Sequence, residues 1–192
     1  SELPATADVV VLGAGVHGAA AAYWLARAGL APLVIDRVGP AAGATGHNGG
    51  LCSTGSAEPY PGAIARLGHA DAHAIWSLSV EGFTLLQQLV EEEQIACDLR
   101  ANGYLSLALG DEQLAGFGRS VAALAADGFH QQLLDRAAAE AMAGLALGPE
   151  VVGAKFNPHA ASLHSAKLVH GLLAAAVRHG ARLCWGVEVS SI

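Results

Sequence analysis

Two short apolar runs, separated by an alanine-rich stretch, open the chain. Val9–Leu12 is continuously apolar and rich in β-branched residues, which is typical of a central strand of a parallel sheet, buried on both faces. An apolar, alanine-rich segment follows and reaches Gly29, where a helix would end. A second strand-like run starts at Leu33 and ends at Asp36. The order predicts a β-α-β unit.

The rest of the chain predicts alternating helices and strands. Apolar residues recur at three- and four-residue steps over residues 63–95, which indicates helix, with a break at Gly82. Asp111 and Asp135 are placed to cap the helices that follow them. The elements predicted beyond residue 100 are a strand over 104–109, a helix over 112–126, a short strand at 133–134, a helix over 136–143, a strand over 151–156, a loop over 157–162, a helix over 165–179 and a strand over 182–189.

The order of these elements indicates an α/β fold: a Rossmann-like β-α-β start, a glycine-rich loop, an α+β insert and a second β-α-β part. We place the segment boundaries at 1–56, 57–150 and 151–192, with the first and third segments sharing one domain. The last strand is predicted to begin a new layer, and it has no successor, which leaves an open sheet edge. We therefore expect the sequence to be a fragment.

Three glycines follow the first predicted strand in G-x-G-x-x-G spacing. Gly13 allows a tight turn, Gly15 lets a pyrophosphate approach the backbone, and Gly18 lets the helix pack closely on the strand. The helix start adds free N–H groups and the positive end of its dipole. Asp36 comes 18 residues after Gly18, close to the spacing at which a carboxylate accepts hydrogen bonds from an adenosine ribose. The stretch predicts a dinucleotide site.

Two other interpretations of this stretch stay open. Val9–Ala26 contains no Asp, Glu, Lys or Arg over 18 residues, which is near the length of a membrane span. The glycine spacing and the strand that ends at Asp36 argue against a span. A structural β-α-β unit without a ligand is the other alternative, because motif matches misfire.

A loop rich in glycine and small residues runs over residues 38–51. Such a loop can wrap a flat polar ligand with backbone N–H groups and small polar side chains, here those of Thr45 and Asn48. The alternative is a flexible linker, although linkers are usually Gly/Ser tracts.

Composition and charge narrow the function classes. The chain has 192 residues, of which 53% are hydrophobic and 14% charged, so it can bury one good core or two small ones, or it lacks a partner that covers part of its surface. The net charge of −7 argues against a broad nucleic-acid surface. Three cysteines without a C-x-x-C motif, and residues 1–7 without a signal-peptide pattern, favour a reduced, cytoplasmic location.

Two histidines form the one candidate metal pair. His69 and His73 are four residues apart and would share a helix face, as metal ligands can. No third ligand stands at a recognisable spacing. We therefore expect ordinary surface or core histidines and no metal site.

Several segments together resemble the D-amino-acid oxidase-like FAD-dependent oxidoreductases. They are GAGVHG at 13–18 with IDR at 35–37, GATGHNGG at 43–50, and the terminal segment over 164–192. The segment IACDLRANGYLSLAL at 95–109 is most similar to the gamma-glutamylputrescine oxidoreductase branch. The resemblance spans nearly the whole chain. It implies an FAD-binding domain in segments 1–56 and 151–192 and a helical and substrate-domain segment at 57–150.

The resemblance also implies which residues contact FAD. The corresponding positions are Gly13, Ala14, Gly15 and Gly18 at the pyrophosphate, Asp36 and Arg37 at the adenosine, Gly43, Ala44, Thr45, His47, Asn48 and Gly49 along the loop towards the flavin, and Val189 at the adenine.

His47 departs from the pattern of the family branch most similar in the insert, which has Arg there. In another branch a histidine at a similar step carries covalently bound flavin. The flanking Asn48 and Gly49 resemble the non-covalent branch, so we expect His47 to make a polar contact.

The family's activity, carried over, is FAD-dependent oxidation of a C–N bond in an amine or amino acid, with hydride transfer to the flavin. A non-catalytic FAD-binding module and an NAD-dependent dehydrogenase are the alternatives, since an acid like Asp36 suits both dinucleotides. The resemblance assigns no catalytic residue within this chain. We expect the 192-residue chain alone to bind FAD weakly and to be inactive.

Overall fold

A computed structural model describes residues 3–191 and divides the chain into two compact units. Unit 1 contains the chain up to Leu51, then Gln87–Leu99, and the chain from Leu163 onward. Unit 2 contains Cys52–Leu86 and Arg100–Ser162. Each unit therefore draws on segments that are distant in sequence.

Helices and strands are interspersed along the described residues. The strands are β1 (Val9–Leu12), β2 (Pro32–Asp36), β3 (Leu51–Ser53), β4 (Tyr104–Ala108), β5 (Gln132–Asp135), β6 (Gly153–Asn157), β7 (Ala160–Ser162) and β8 (Arg182–Trp185). The helices are α1 (Val16–Arg27), α2 (Tyr60–Leu67), α3 (His69–Glu92), α4 (Asp111–Ala126), α5 (Arg136–Ala143) and α6 (Ser165–Arg178). The α/β class predicted from the sequence is confirmed.

Unit 1 is built on a parallel sheet with the strand order β1-β2-β8. Val11 of β1 lies opposite Val34 of β2, and Val34 lies opposite Leu183 of β8. The helix α1 connects β1 to β2, which gives the predicted β-α-β unit. The first four residues of β2 are all buried, so β2 is the central strand of this sheet.

The prediction that β1 is central and buried on both faces is wrong. Within the described residues β1 pairs with β2 alone, and its residues alternate between half-buried and exposed. The side chains of Val10 and Leu12 are 48% and 46% exposed. A continuous run of apolar residues therefore also occurs in a strand that is covered on one face only. The last strand, β8, also differs from the prediction: it joins β2 in the same sheet and begins no new layer.

Two helices of unit 1 pack against each other. The helix α1 buries alanines at positions 19, 22 and 26, whose small side chains let the α6 backbone approach. The α6 face is apolar and fully buried at Val169, Leu172 and Leu173. Burial of each such side chain contributes about 1.5–3 kcal/mol. This layer covers the sheet that positions the site.

Unit 2 contains an antiparallel sheet in the order β4-β6-β5. Lys155 in the middle of β6 lies opposite Ser106 of β4 and Leu133 of β5. The helix α4 packs on this sheet and buries Leu124. The short strands β3 and β7 form a separate pair, and neither was predicted, because three residues are too few to show a period.

The helical region predicted over 63–95 breaks at a different glycine. It forms α2 and α3, which are separated at Gly68, where φ is +87°. Gly82 lies inside α3. Glycine adopts a positive φ without strain, so the break follows backbone conformation.

Of the two predicted helix caps, one is confirmed and the other is wrong. The Asp135 carboxylate accepts a hydrogen bond from the Ala138 N–H at 2.8 Å and caps α5, as predicted. Asp111 is instead the first residue of α4, and Gly110 precedes it at the cap position. The last strand also ends earlier than predicted, at Trp185.

Candidate functional site

The carboxyl ends of β1, β2 and β8 meet at one edge of the unit 1 sheet, because the three strands are parallel. Ligands of open α/β sheets bind at such an edge. An open cavity of about 310 Å³ lies there. It is lined by Leu12, Gly13, Ile35, Asp36, Arg37, Val187, Glu188 and Val189. Four residues expected at the cofactor therefore lie around one cavity, although 176 positions separate the first from the last.

The turn from β1 into α1 depends on two of the three motif glycines. Gly13 has a φ of +97° and donates its N–H to the Ile35 carbonyl at 2.8 Å. A Cβ on Gly18 would lie 1.9 Å from the Gly13 carbonyl oxygen. No side chain fits there, so the turn requires glycine at position 18 as well as at 13.

Gly15 faces the Thr45 hydroxyl across a narrow gap. A Cβ on Gly15 would lie 3.2 Å from Thr45 Oγ1. The same oxygen accepts a hydrogen bond from the Val16 N–H, also at 3.2 Å, at the start of α1. Because this oxygen acts as acceptor, the hydroxyl hydrogen of Thr45 stays available to a ligand oxygen. The loop over 38–51 thus reaches the helix start, accepts one of its N–H groups and keeps a hydroxyl donor for a ligand.

The Asp36 carboxylate binds the backbone on both sides of the site. Oδ2 accepts the Ala14 N–H, and Oδ1 accepts those of Val38 and Gly39, each at 2.8 Å. Partial burial by itself would raise the pKa of Asp36, but these hydrogen bonds, with a contribution from the charge of Arg37, lower it below its usual value. A carboxylate has about four acceptor positions. One on Oδ2 therefore remains for a ligand hydroxyl.

The side chain of Asn48 is occupied by the loop itself. Its Nδ2 donates to the carbonyls of Ala44 and Thr45 at 3.3 and 2.8 Å. Its Oδ1 accepts from the Gly50 N–H at 2.8 Å and from the Ser165 hydroxyl at 2.9 Å. Four bonds exhaust the capacity of an amide. Asn48 therefore holds the loop to the start of α6, and Ser165 is a supporting residue that had no signal in the sequence.

His47 lies on an exposed single turn of 3₁₀ helix, Ala44–His47. Its Nδ1 is 2.8 Å from the Gly43 carbonyl oxygen. A carbonyl only accepts, so Nδ1 carries the hydrogen in this contact. In the neutral ring the lone pair is then on Nε2. Gly43, Ala44 and Gly49 are also exposed.

Sequence reasoning missed half of the cavity lining. Val187 and Glu188 follow β8 in a stretch that was predicted as strand, and the Val187 N–H bonds to the Asp36 carbonyl at 3.3 Å. This bond places residues 187–189 beside the end of β2. The alternation of apolar residues could have shown that Val187 and Val189 lie on the same side of the segment. Nothing in the sequence shows that this segment lies beside β2.

The two histidines considered as a metal pair, His69 and His73, lie in unit 2, and His69 contacts a carboxylate. His69 Nε2 is 2.9 Å from both carboxylate oxygens of Asp127, which also accepts the Tyr60 hydroxyl at 2.7 Å. Burial, together with the bond to Asp127, raises the pKa of Tyr60 to about 12. In the part of the chain that the structure describes, no three His, Cys, Asp or Glu side chains group as a metal site.

Comparison with known proteins identifies the family. The sequence profile of the family described as FAD dependent oxidoreductase (DAO) matches residues 8–192. The chain is 30% identical to a D-amino acid dehydrogenase of Rhizorhabdus wittichii, over 96% of this chain and 54% of that protein. It is 33% identical to gamma-glutamylputrescine oxidoreductase of Escherichia coli, over 57% of this chain and 26% of that protein.

Solved structures share the fold. Glycine oxidase of Bacillus cereus superposes with a TM-score of 0.75 at 20% identity, covering 97% of this chain and 48% of that one. The chain spans about half the length of that oxidase and of the D-amino acid dehydrogenase. Among helices within residues 3–191, none is long and apolar enough to cross a membrane. The chain belongs to the DAO family of FAD-dependent oxidoreductases, whose cofactor is FAD.

The residues present fit the adenosine and pyrophosphate part of FAD. Gly15 leaves the backbone at the helix start without a side chain, beside the Thr45 hydroxyl, where a Cβ would come within 3.2 Å of Oγ1. Backbone N–H groups at a helix start are suited to a phosphate. The remaining acceptor position of Asp36 suits a ribose hydroxyl. Both lie in unit 1.

Replacement of Asp36 by Asn should destabilise the chain in a pH-dependent way. The amide cannot accept on both sides, so either the Ala14 N–H or those of Val38 and Gly39 lose their acceptor. The folded pKa of Asp36 lies below the unfolded one, at about 3.9. Its contribution is therefore complete above that value and is lost as the pH falls through the folded pKa.

Urea unfolding of wild type and Asp36→Asn between pH 7 and pH 3 measures this contribution. We expect a constant stability gap from pH 7 to about pH 5, which narrows below about pH 4. Asp71→Asn, at an exposed aspartate, is the control and should show no such gap. A gap of unchanged size at pH 3 would contradict the role given to the carboxylate.

Proposed function

We propose that this chain forms the part of an FAD-dependent enzyme that binds the adenosine and pyrophosphate of the cofactor, and that the whole protein oxidises a C–N bond of an amino acid or amine. The observation that carries the first half is the cavity where Gly13, Asp36, Arg37 and Val189 meet. The second half rests on the relatives, whose names specify D-amino acids and gamma-glutamylputrescine.

Each residue of the site has a separate task in binding. The α1 start, with room over Gly15, receives the pyrophosphate, and Thr45 donates its free hydrogen there. Asp36 accepts a ribose hydroxyl while it holds the turn. The backbone at Val189 faces the adenine, and Arg37 lines the same cavity. The Asn48 side chain positions the loop.

FAD held by these residues would supply the two-electron oxidising power for a C–N bond, with a carbonyl compound and an amine or ammonia as the products after hydrolysis. The residues of unit 1 contribute to this chemistry by binding and orientation. Substitutions at these residues are therefore expected to change the reaction by changing how well the protein retains the cofactor.

The first test is the affinity of the chain for FAD. We expect weak binding by the 192-residue chain, measured by flavin fluorescence titration, and we expect ADP to compete, since the site holds the adenosine end. Gly15→Val should weaken binding at least about tenfold, because the new side chain occupies the phosphate position and presses on Thr45.

Gly82→Val is the matched control. Gly82 lies in α3 with nothing within 4 Å of its added Cβ, so the same change there should leave FAD affinity unaltered. Tight stoichiometric FAD binding that ADP does not displace would contradict the assignment. So would equal affinities of wild type and Gly15→Val.

His47 is proposed to make a polar contact with bound FAD and no covalent bond. Acid precipitation of the FAD-loaded complete protein should then release all flavin into the supernatant. Flavin that stays in the wild-type pellet and leaves it in His47→Ala would establish the covalent alternative. Nε2 would be the bonding atom, since Nδ1 is held by Gly43.

The reaction class is tested with the complete protein under anaerobic conditions. Bleaching of the flavin absorbance should follow addition of D-alanine or a gamma-glutamylated diamine, with an oxo acid or aldehyde as product. If a hydroxy acid bleaches the flavin and the amines do not, the enzyme oxidises a C–O bond and the proposed reaction class is wrong. A flavin that binds and is bleached by neither would support a non-catalytic module.

A further inference from the structure

Unit 2 contains its own cavity, of about 290 Å³. It opens between the segment over 53–60, the helix α4, and strands β4 and β6. Small-molecule pockets start at about this size, so the cavity suits a compact ligand. Every lining residue belongs to unit 2, so the cavity shares none with the site in unit 1.

A lysine without a polar partner lines this cavity. Lys155 lies in the middle strand β6, opposite Ser106 of β4. Within residues 3–191 its Nζ makes neither a hydrogen bond nor an ion pair, and its recorded contact is with the Phe117 ring, 5.4 Å from the ring centroid. The nitrogen is therefore not committed to a protein group.

The surroundings of Lys155 favour the neutral amine. Glu58 is the acid of the lining, but Arg66 Nε donates to it at 3.0 Å, so its charge is already offset. An aromatic ring replaces only part of the water that a buried ammonium loses. Burial therefore lowers the pKa of Lys155. The other titratable side chains of the lining, Tyr60 and Tyr104, carry no charge at neutral pH.

Two polar groups of the same lining have no partner in the protein. Ser120 is 4% exposed, and its hydroxyl has no hydrogen bond within the described part of the chain. Gln131 Oε1 is buried, and no donor in residues 3–191 reaches it. Buried polar groups are normally hydrogen-bonded. A ligand oxygen that accepts from the serine and, once protonated, donates to the glutamine would satisfy both.

We propose that Lys155 is a covalent carbonyl-binding site, at which a small uncharged aldehyde condenses reversibly to an imine. The lone pair of Nζ adds to the carbonyl carbon, the C=O π pair moves to oxygen, and a proton passes from nitrogen to that oxygen. The new hydroxyl then leaves as water with the remaining nitrogen hydrogen, which forms the C=N bond. Amine and aldehyde give imine and water, so no oxidant is needed.

The lining selects the kind of carbonyl compound. Ser120 donates to the carbonyl oxygen, and Gln131 Oε1 accepts from the hydroxyl that this oxygen becomes. Trp76 and Leu124 offer an apolar wall for the substituent. Among the described residues Lys155 is the one cation of the lining, so no second cation pairs a carboxylate on the ligand. This favours an aldehyde over an oxo acid. The adduct needs no flavin and is independent of the function proposed above.

The lysine content of the chain makes a direct test available. Lys155 and Lys167 are the two lysines of the sequence, and Lys167 is exposed and donates to Asp98 in unit 1. The 192-residue chain is treated with propanal and cyanoborohydride, which reduces an imine to a stable secondary amine. Peptide mapping by mass spectrometry then measures the label at each lysine and at the N-terminal amine.

At pH 7 we expect Lys155 to be labelled at least about fivefold faster than Lys167, because a lowered pKa leaves more of the amine neutral. The ratio should fall as the pH approaches the ordinary lysine pKa of about 10.4. Glyoxylate in place of propanal should label Lys155 more slowly, since its carboxylate finds no cation in the lining.

Variants separate the amine from its surroundings. With ¹³C-labelled propanal and no reductant, an imine resonance should appear in wild type and Lys167→Met and be lost in Lys155→Met. Ser120→Ala should slow labelling of Lys155 several-fold, whereas Ser77→Ala, at a half-buried serine outside the lining, should leave the rate unchanged. Circular dichroism and urea unfolding check that each variant is folded.

Several outcomes would overturn the proposal. They are equal labelling of the two lysines at pH 7, an imine resonance that persists in Lys155→Met, a wild-type rate in Ser120→Ala, and faster labelling of Lys155 by glyoxylate than by propanal. Failure of FAD binding would leave these measurements unaffected, because the reacting amine lies in unit 2.

Discussion

The shape of the carboxyl edge of the unit 1 sheet depends on one carboxylate. Asp36 is the last residue of the central strand of unit 1. Its carboxylate accepts hydrogen bonds from backbone N–H groups in the turn before α1 and in the turn after β2. Hydrogen bonds to a charged group contribute about 1.5–3 kcal/mol each, more than ordinary backbone pairs. These bonds hold two turns at fixed positions. The glycines can then present an open backbone to a ligand.

A second constraint is steric. The 1.9 Å from a virtual Cβ on Gly18 to the Gly13 carbonyl oxygen means that helix and turn touch through backbone atoms alone. At the start of α1 the Val16 N–H donates to the Thr45 hydroxyl. Backbone groups therefore form most of the site in unit 1, and side chains mainly keep them in place. Asn48, with every hydrogen bond directed to its own loop and to Ser165, is the clearest example.

Local sequence patterns correctly predicted the features that depend only on neighbouring residues in the chain. The strand, glycines, helix and acid of residues 9–36 follow from periodicity and backbone sterics, and all appear where expected. The errors concern neighbours. Apolar content could not reveal that β1 has one partner among the described strands, or that β8 joins β2. Likewise, Gly68 and Gly82 look alike in sequence, yet the break occurs where the φ is positive.

The two cavities are built by different means, and this explains why one was predicted and the other was not. In unit 1 a fixed spacing of glycines encodes a backbone surface, so a motif can reveal it. In unit 2 the groups come from places as distant as Thr54 and Asn157, which are joined by one hydrogen bond across 103 positions. No spacing rule links such residues.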